Sequence, residues 1–245
     1  MSFPASAPVL PDVRRALAVF AHPDDVDFGC AGTIAGWVDE GIEVAYLIAT
    51  RGDSGGFDDT PREEMPARRE AEQRAAAAAV GVHRVDFLDG HSDGTLTPSL
   101  ALRRQISAAI RRFRPDRVLT SSPLRRWEHL TGPSHPDHLA VGEATTCAVY
   151  PDSRNPFAFP ELLDEGLEPW VVREIWYAGG PGPDHAIDVT DRIDRKIAAM
   201  EAHRSQTAHL DVPTWIRDRL TTVADNAGLP PGRLAEAFTV LRTTE

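Results

Sequence analysis

The sequence predicts an α/β fold: a mostly parallel sheet with helices on both faces, and a smaller subregion towards the C-terminus. Three observations carry this reading. Short apolar runs of strand length alternate with longer helix-like segments, glycine and proline punctuate the junctions, and the alternation breaks down after Tyr150, where prolines accumulate.

Residues 16–21 (ALAVFA) form a continuous apolar run, as a strand buried on both faces requires. A short helix over 32–40 is stopped by Gly41, and 43–49 is the second strand. Residues 50–59 are a Gly/Asp-rich loop at its carboxyl end. A long helix over 61–80 ends near Gly81, and the alanine run 75–79 within it suits helix packing. The third strand, 84–88, leads through the loop 89–98 to a helix over 99–113. Pro115 separates that helix from the strand 116–121, and a polar loop, 122–134, opens into a helix running to about Tyr150.

Beyond it, 152–170 reads as a long proline-containing loop. Residues 171–178 and 186–189 read as strands joined by the turn 179–183, and Thr190 is placed to cap a helix over 191–203. A helix over 213–227 and a strand over 237–241 complete a Rossmann-like order. It shows no internal repeat and no linker, and residues 1–245 are expected to form a single domain. In such sheets ligands bind outside the carboxyl ends of the strands.

Composition narrows the function. The 245 residues carry a formal net charge of −11, which argues against a nucleic-acid partner. Lys196 is the only lysine, which reads as coding bias towards GC-rich DNA. The cysteines are Cys30 and Cys147 alone, so a disulfide framework is not expected and a reducing, cytoplasmic setting is the default. The start of the chain lacks the basic and apolar regions of a signal peptide, and no run approaches the ~20 apolar residues of a membrane span.

Two clusters carry chemistry. Ala21-His22-Pro23-Asp24-Asp25 follows the first strand directly, and His135-Pro136-Asp137-His138 follows the strand 116–121 and its loop. Catalytic zinc sites take about three protein ligands from His nitrogen and carboxylate oxygen and keep one position open. His22 and Asp25 can bite one ion from a tight loop, and either His135 or His138 can supply the third ligand. Asp24, adjacent to a ligand, is free to receive a proton. Either cluster alone reads as a turn or a helix start; both together, each beyond a strand end, point to a metallohydrolase.

The stretch 21–35 (AHPDDVDFGCAGTIA) resembles the opening signature of the LmbE-like, or PIG-L, metal-dependent deacetylases, and His135-Pro136-Asp137-His138 resembles their second signature. The likeness continues at 69–72, 93–94, 114–116 and 202–206, and covers about residues 15–206. It implies removal of the acetyl group from an N-acetylglucosamine-containing small molecule, with Zn²⁺, or alternatively Fe²⁺, as cofactor. It also implies metal ligation by His22, Asp25 and His138, with Asp24 as general base. His135 would assist the oxyanion or the leaving amine, and Asp137 would orient and charge His135.

Arg69 and Asp93 match substrate-contacting positions of sugar-binding relatives. Arg154 resembles an arginine that reaches the site in the bacillithiol-type branch. Val26 followed by Asp27 also resembles that branch more than the mycothiol-type one. The tyrosine of the mycothiol type is missing from Thr131-Gly132-Pro133-Ser134, which favours His135 as the acid. His129 and Trp127 in the same loop are expected at the surface. Relatives imply a homo-oligomer.

Remaining candidates take plainer readings. Arg51-Gly52-Asp53-Ser54-Gly55-Gly56 lacks the P-loop lysine and reads as a substrate-lining loop with Asp53 as its candidate. Cys30, Trp170, Trp176 and Tyr177 are expected in the core, and His83, His91, His185 and His209 in structural or surface roles. His203, Ser205 and Gln206 match a family motif without an assignable chemistry. Two rival functions compete with deacetylation. One is an amidase cleaving a larger acyl group from a glucosamine conjugate; the other is a non-catalytic sugar- or nucleotide-binding module, which predicts no bound metal.

Overall fold

The computed structural model of the protein describes residues 10–128 and 130–244. Its seven-stranded sheet has the order β3-β2-β1-β4-β5-β7-β6. Strands β1 (Arg15–Phe20), β2 (Glu43–Ile48), β3 (Arg84–Phe87), β4 (Arg117–Ser121) and β5 (Glu174–Ala178) are parallel. The C-terminal subregion extends the same sheet: β7 (Ala235–Arg242) is inserted antiparallel between β5 and β6 (His185–Asp188). The chain moves outward from β1 to β2 and β3, then crosses back to β4 on the other side of β1. The carboxyl ends of β1 and β4 therefore flank the topological switch point, where a crevice opens in folds of this kind.

Strand alternation splits the core in two. Ala16, Ala18 and Phe20 pack with Ile34, Tyr46, Ile48, Trp176 and Phe238 beneath α1 (Asp25–Asp39), α2 (Met65–Ala79) and α6 (Ile193–Ala202). Leu17 and Val19 face the other way, against α3 (Leu100–Phe113) and α4 (Pro136–Val149). A third cluster joins α6 to α8 (Val212–Asn226) through Ile193, Ile197, Met200, Ile216 and Leu220. Among the described residues, no helix is long and apolar enough to cross a membrane.

Several boundaries differ from the sequence-based expectation. α1 begins at Asp25, well before residue 32, because Gly29 and Gly32 do not break it. Gly32 is instead a close-packing position, where an added Cβ would lie 2.7 Å from Val189 Cβ. α2 starts at Met65 after a turn. Thr190 does not cap α6; its hydroxyl donates to Asp188 Oδ1 (2.6 Å) and accepts the Leu234 amide (2.9 Å). The segment 152–170 contains the short helix α5 (Glu161–Asp164) and is organised by Arg111 on α3. That buried guanidinium donates to the carbonyls of Asp152, Ser153, Asn155 and Ala158 at 2.9–3.2 Å.

One buried ion pair secures α1. Lys196 Nζ, on α6, donates to the carbonyls of Asp27 (2.8 Å) and Phe28 (2.9 Å) and to Glu236 Oε1 (2.7 Å). Glu236, on β7, accepts the amides of Gly32 (3.1 Å) and Thr33 (2.7 Å). Both side chains are buried, so removing one partner leaves an uncompensated charge. Lys196→Met is therefore expected to cost about 3–5 kcal/mol in guanidinium denaturation. Lys196→Met combined with Glu236→Leu should recover most of that loss; equal losses in the single and double variants would contradict this account.

Candidate metal centre and active site

β1 delivers the first cluster to the switch point, and α1 starts within it. Asp24, the residue before the helix, has φ 98° and ψ −31°, a region costing an L-residue on the order of 1–3 kcal/mol. An Asp in this place usually caps the helix by accepting a backbone amide. Asp24 makes no such bond; its carboxylate accepts from Arg69 instead. Its carbonyl alone serves α1, accepting the amides of Asp27 (2.8 Å) and Phe28 (3.0 Å).

Three donor atoms face each other beside it. His22 Nδ1 lies 3.3 Å from His138 Nε2 and 3.4 Å from Asp25 Oδ2, while His138 Nε2 lies 2.9 Å from Asp25 Oδ1. A tetrahedral ion with ligands at ~2.0–2.2 Å keeps its donor atoms roughly 3.3–3.6 Å apart. The His₂Asp triangle thus fits a zinc-like divalent ion in its donor types and in two of its three separations, the Asp25–His138 one being shorter at 2.9 Å. A second arrangement, His22 with His135 and His138, also brings metal-ligating atoms close together.

The other edge of the His22 ring is committed as well. Nε2 lies 3.0 Å from Asp93 Oδ1 and 3.1 Å from Asp137 Oδ2. A proton on Nε2 leaves Nδ1 as the free donor, the arrangement by which a carboxylate orients a metal-binding imidazole. Burial alone would lower the His22 pKa, but the Asp25 charge and hydrogen bonds to Asp137, Asp25 and Asp93 push it up to about 12. Three carboxylates, Asp25, Asp93 and Asp137, thus surround the ring with negative charge that favours a cation beside it. Burial works against Asp25 too, yet the charges and hydrogen bonds of His138 and His22 keep its carboxyl well below the ordinary range.

Asp137 corrects one expectation. It does not orient His135: its buried carboxylate is occupied by His22 and by the amides of Gly94 (2.7 Å) and Leu96 (3.1 Å). His135 instead caps α4 through Nδ1, which accepts the Asp137 amide at 3.2 Å. With Nδ1 accepting, a neutral His135 carries its proton on Nε2 and can donate it. Burial, then the charges on His22 and His138, lower its pKa and favour this neutral form.

Two residues of α2 grip Asp24. Arg69 Nη2 donates to Asp24 Oδ2 (3.0 Å) and to the Pro23 carbonyl (2.6 Å), and Gln73 Oε1 accepts the Asp24 amide (2.8 Å). Burial pushes the Asp24 carboxyl above the ordinary range, with the Arg69 charge pulling the other way. The glycine-rich loop after β2 wraps this arginine: a Cβ at Gly52 or Gly55 would fall 2.2 or 2.5 Å from Arg69 Nη1. Asp53 in that loop accepts the Asp93 amide at 2.9 Å.

The structure thus gathers His22, Asp24, Asp25, Arg69, Asp93, His135, Asp137 and His138, with Asp53 just behind them. Arg154 is not among them. It donates to the carbonyls of Val172 and Thr243, near the amino end of β5. The 14-residue helix α4 separates it from His135, a span of roughly 20 Å. Trp127 is 79% exposed, and His129 lies outside the described residues. Gln73 went unnoticed in the sequence, although its place one helical turn after Arg69 puts both on one face. Asp27 and His203 received no chemistry there, yet His203 Nε2 lies 2.8 Å from Asp27 Oδ2.

Comparison with known proteins agrees with this architecture. The family described as "PIG-L: GlcNAc-PI de-N-acetylase" matches residues 17–149. Diacetylchitobiose deacetylase of Thermococcus kodakarensis is 32% identical over 200 residues, covering 80% of this chain and 71% of that protein. A probable N-acetyl-α-D-glucosaminyl L-malate deacetylase of Bacillus cereus is 32% identical over 204 residues, covering 79% of this chain and 84% of that one. The structure of N,N′-diacetylchitobiose deacetylase from Pyrococcus horikoshii superposes with a TM-score of 0.83 at 29% identity, over 94% of this chain and 84% of that chain. The family match spans more than half of the chain and includes both histidine clusters, and the protein belongs to the PIG-L family of de-N-acetylases.

Proposed function

We propose that the protein is a zinc-dependent deacetylase that hydrolyses the N-acetyl group of an N-acetylglucosamine-containing small molecule to acetate and a free amine. One observation carries this reading: Asp24 stands beside the His22/Asp25/His138 triangle but outside it, held by Arg69 and making no cap bond to its helix. Deacetylation by the named relatives supports the substrate class.

His22, Asp25 and His138 would hold the ion. When bound, such an ion acidifies water and polarises the acetyl carbonyl. Asp24 accepts the proton of the attacking water, with Arg69 holding the receiving carboxylate in place. His135 Nε2–H donates to the carbonyl oxygen as charge develops there, the term that usually dominates acyl transfer. The proton collected by Asp24 is then available to the departing amine. Asp93 and Asp53 line the approach between Arg69 and the glycine-rich loop, where carboxylates suit sugar hydroxyls. Zn²⁺ is the first choice for this donor set and Fe²⁺ the second. Free Cys30 and Cys147 suit a reducing compartment, which supports a cytoplasmic setting for the reaction.

Zinc-loaded protein should release amine from at least one member of a panel containing N,N′-diacetylchitobiose and N-acetyl-α-D-glucosaminyl L-malate. Chelation should abolish that release and added Zn²⁺ restore it; a fully zinc-loaded but inert protein would count against the proposal. Asp24→Asn should lower kcat by about 10²–10⁴-fold while retaining zinc, because only the proton acceptor is lost. Wild-type turnover in that variant would remove Asp24 from its role. Asp137→Asn should weaken zinc binding by about 10–100-fold in a chelator competition, through the loss of a charged partner for His22. Unchanged affinity would mean that Asp137 does not support the ligand.

A further inference from the structure

Gln73, Asp27 and His203 are buried beneath the metal centre, and the proposed chemistry uses none of them. They form a chain that ends on the proposed proton acceptor. His203 Nε2 lies 2.8 Å from Asp27 Oδ2, Gln73 Nε2 donates to the same oxygen at 2.7 Å, and Gln73 Oε1 accepts the Asp24 amide at 2.8 Å. The chain links the junction of α6 and α7 (Arg204–Thr207), the first turn of α1, α2 and the loop after β1.

The geometry gives this chain a definite task. Asp24 occupies the left-handed region without being glycine, so its surroundings must impose that conformation. Its amide has one partner, the oxygen of Gln73. A primary amide can turn over and present NH₂ in place of oxygen, which would set donor against donor at Asp24. Asp27 prevents this, because its Oδ2 accepts from Gln73 Nε2 and so draws the NH₂ end of Gln73 to itself. His203 on the same oxygen, and Lys196 on the Asp27 carbonyl, fix Asp27 in turn.

We propose that Gln73 is a positioning residue for Asp24: it holds the residue in the left-handed conformation that directs its carboxylate into the crevice, and Asp27 with His203 sets which end of the Gln73 amide faces it. The proposal rests on Asp24 being the proton acceptor. It separates Gln73 from a buried polar group that merely joins α1 to α2. A joining group would affect stability whatever Asp24 does; a positioning group loses its importance when Asp24 can no longer accept a proton.

The test uses zinc-loaded enzyme with N,N′-diacetylchitobiose as substrate. Gln73→Met keeps side-chain length and removes the acceptor. It should lower kcat on the order of 100-fold, with KM within about 2-fold and zinc content unchanged. In an Asp24→Asn background the same substitution should cost less than about 3-fold, because coupled residues are not additive. Gln73→Glu alone sets two carboxylates together and should also lose activity. Adding Asp27→Asn reverses the polarity of the bond, since the new amide donates to the new carboxylate, and should restore kcat to within about 5-fold of wild type. A crystal structure of zinc-loaded Gln73→Met should show Asp24 leaving the left-handed region. An unaltered Asp24 φ, an unchanged kcat, or an equal loss in both backgrounds overturns the proposal. If the wild-type protein proves inert, the deacetylase reading fails, and the Asp24 φ in the variant still decides the positioning role.

Discussion

The backbone of Asp24 is the constraint on which the rest of the site depends. A carboxylate at the start of a helix is ordinarily consumed by the helix, as a cap for its unpaired amides. Here Asp24 has a positive φ and makes no cap bond, and its side chain is held by Arg69. His22 and Asp25, on either side, remain in reach of His138 across the switch point. Neighbouring acids in one short loop thereby acquire different partners: Asp25 faces two imidazoles, Asp24 faces a guanidinium. The strain is sustained by α2, whose Arg69 and Gln73 hold the carbonyl before Asp24 and the amide of Asp24 itself.

The same division runs through the rest of the centre. The His22 ring has one nitrogen in the donor triangle and the other against Asp137 and Asp93. His135 uses Nδ1 to cap α4, leaving Nε2 as its free proton carrier. Each titratable group is thus limited to one role by a hydrogen bond made elsewhere on the same side chain. This is the physical content of a preorganised site, in which few groups need to reorient as charge develops. Buried polar contacts farther out, Lys196 with Glu236 and Asp27 with His203, tie α1 to the C-terminal elements.

Much of this was legible in the sequence where the signal is local. The central strands β1 and β2 announce themselves as largely apolar runs, and the two histidine clusters are contiguous motifs beyond strand ends. The start of α1 was not legible, because Gly29 and Gly32 look like breakers until Val189 is seen packed against Gly32. Arg154 was expected at the site because it resembles an arginine of the bacillithiol-type branch, but α4 carries it to the amino end of β5. Asp137 stands two residues after His135 in its motif, yet its carboxylate is drawn to His22, 115 positions away. Gln73 and His203 act on Asp27 from 46 and 176 positions away, and no local pattern marks such partners.

The central claim is that one divalent ion is held by His22, Asp25 and His138 while Asp24 stays out of its coordination. The most direct measurement is a crystal structure of zinc-loaded protein, with the ion located by its anomalous signal. The account expects a single peak at ~2.0–2.2 Å from His22 Nδ1, His138 Nε2 and an Asp25 oxygen, with Asp24 left-handed and bonded to Arg69. A peak ligated by Asp24, by His135, or by Asp93 and Asp137 on the Nε2 side of His22 would contradict it.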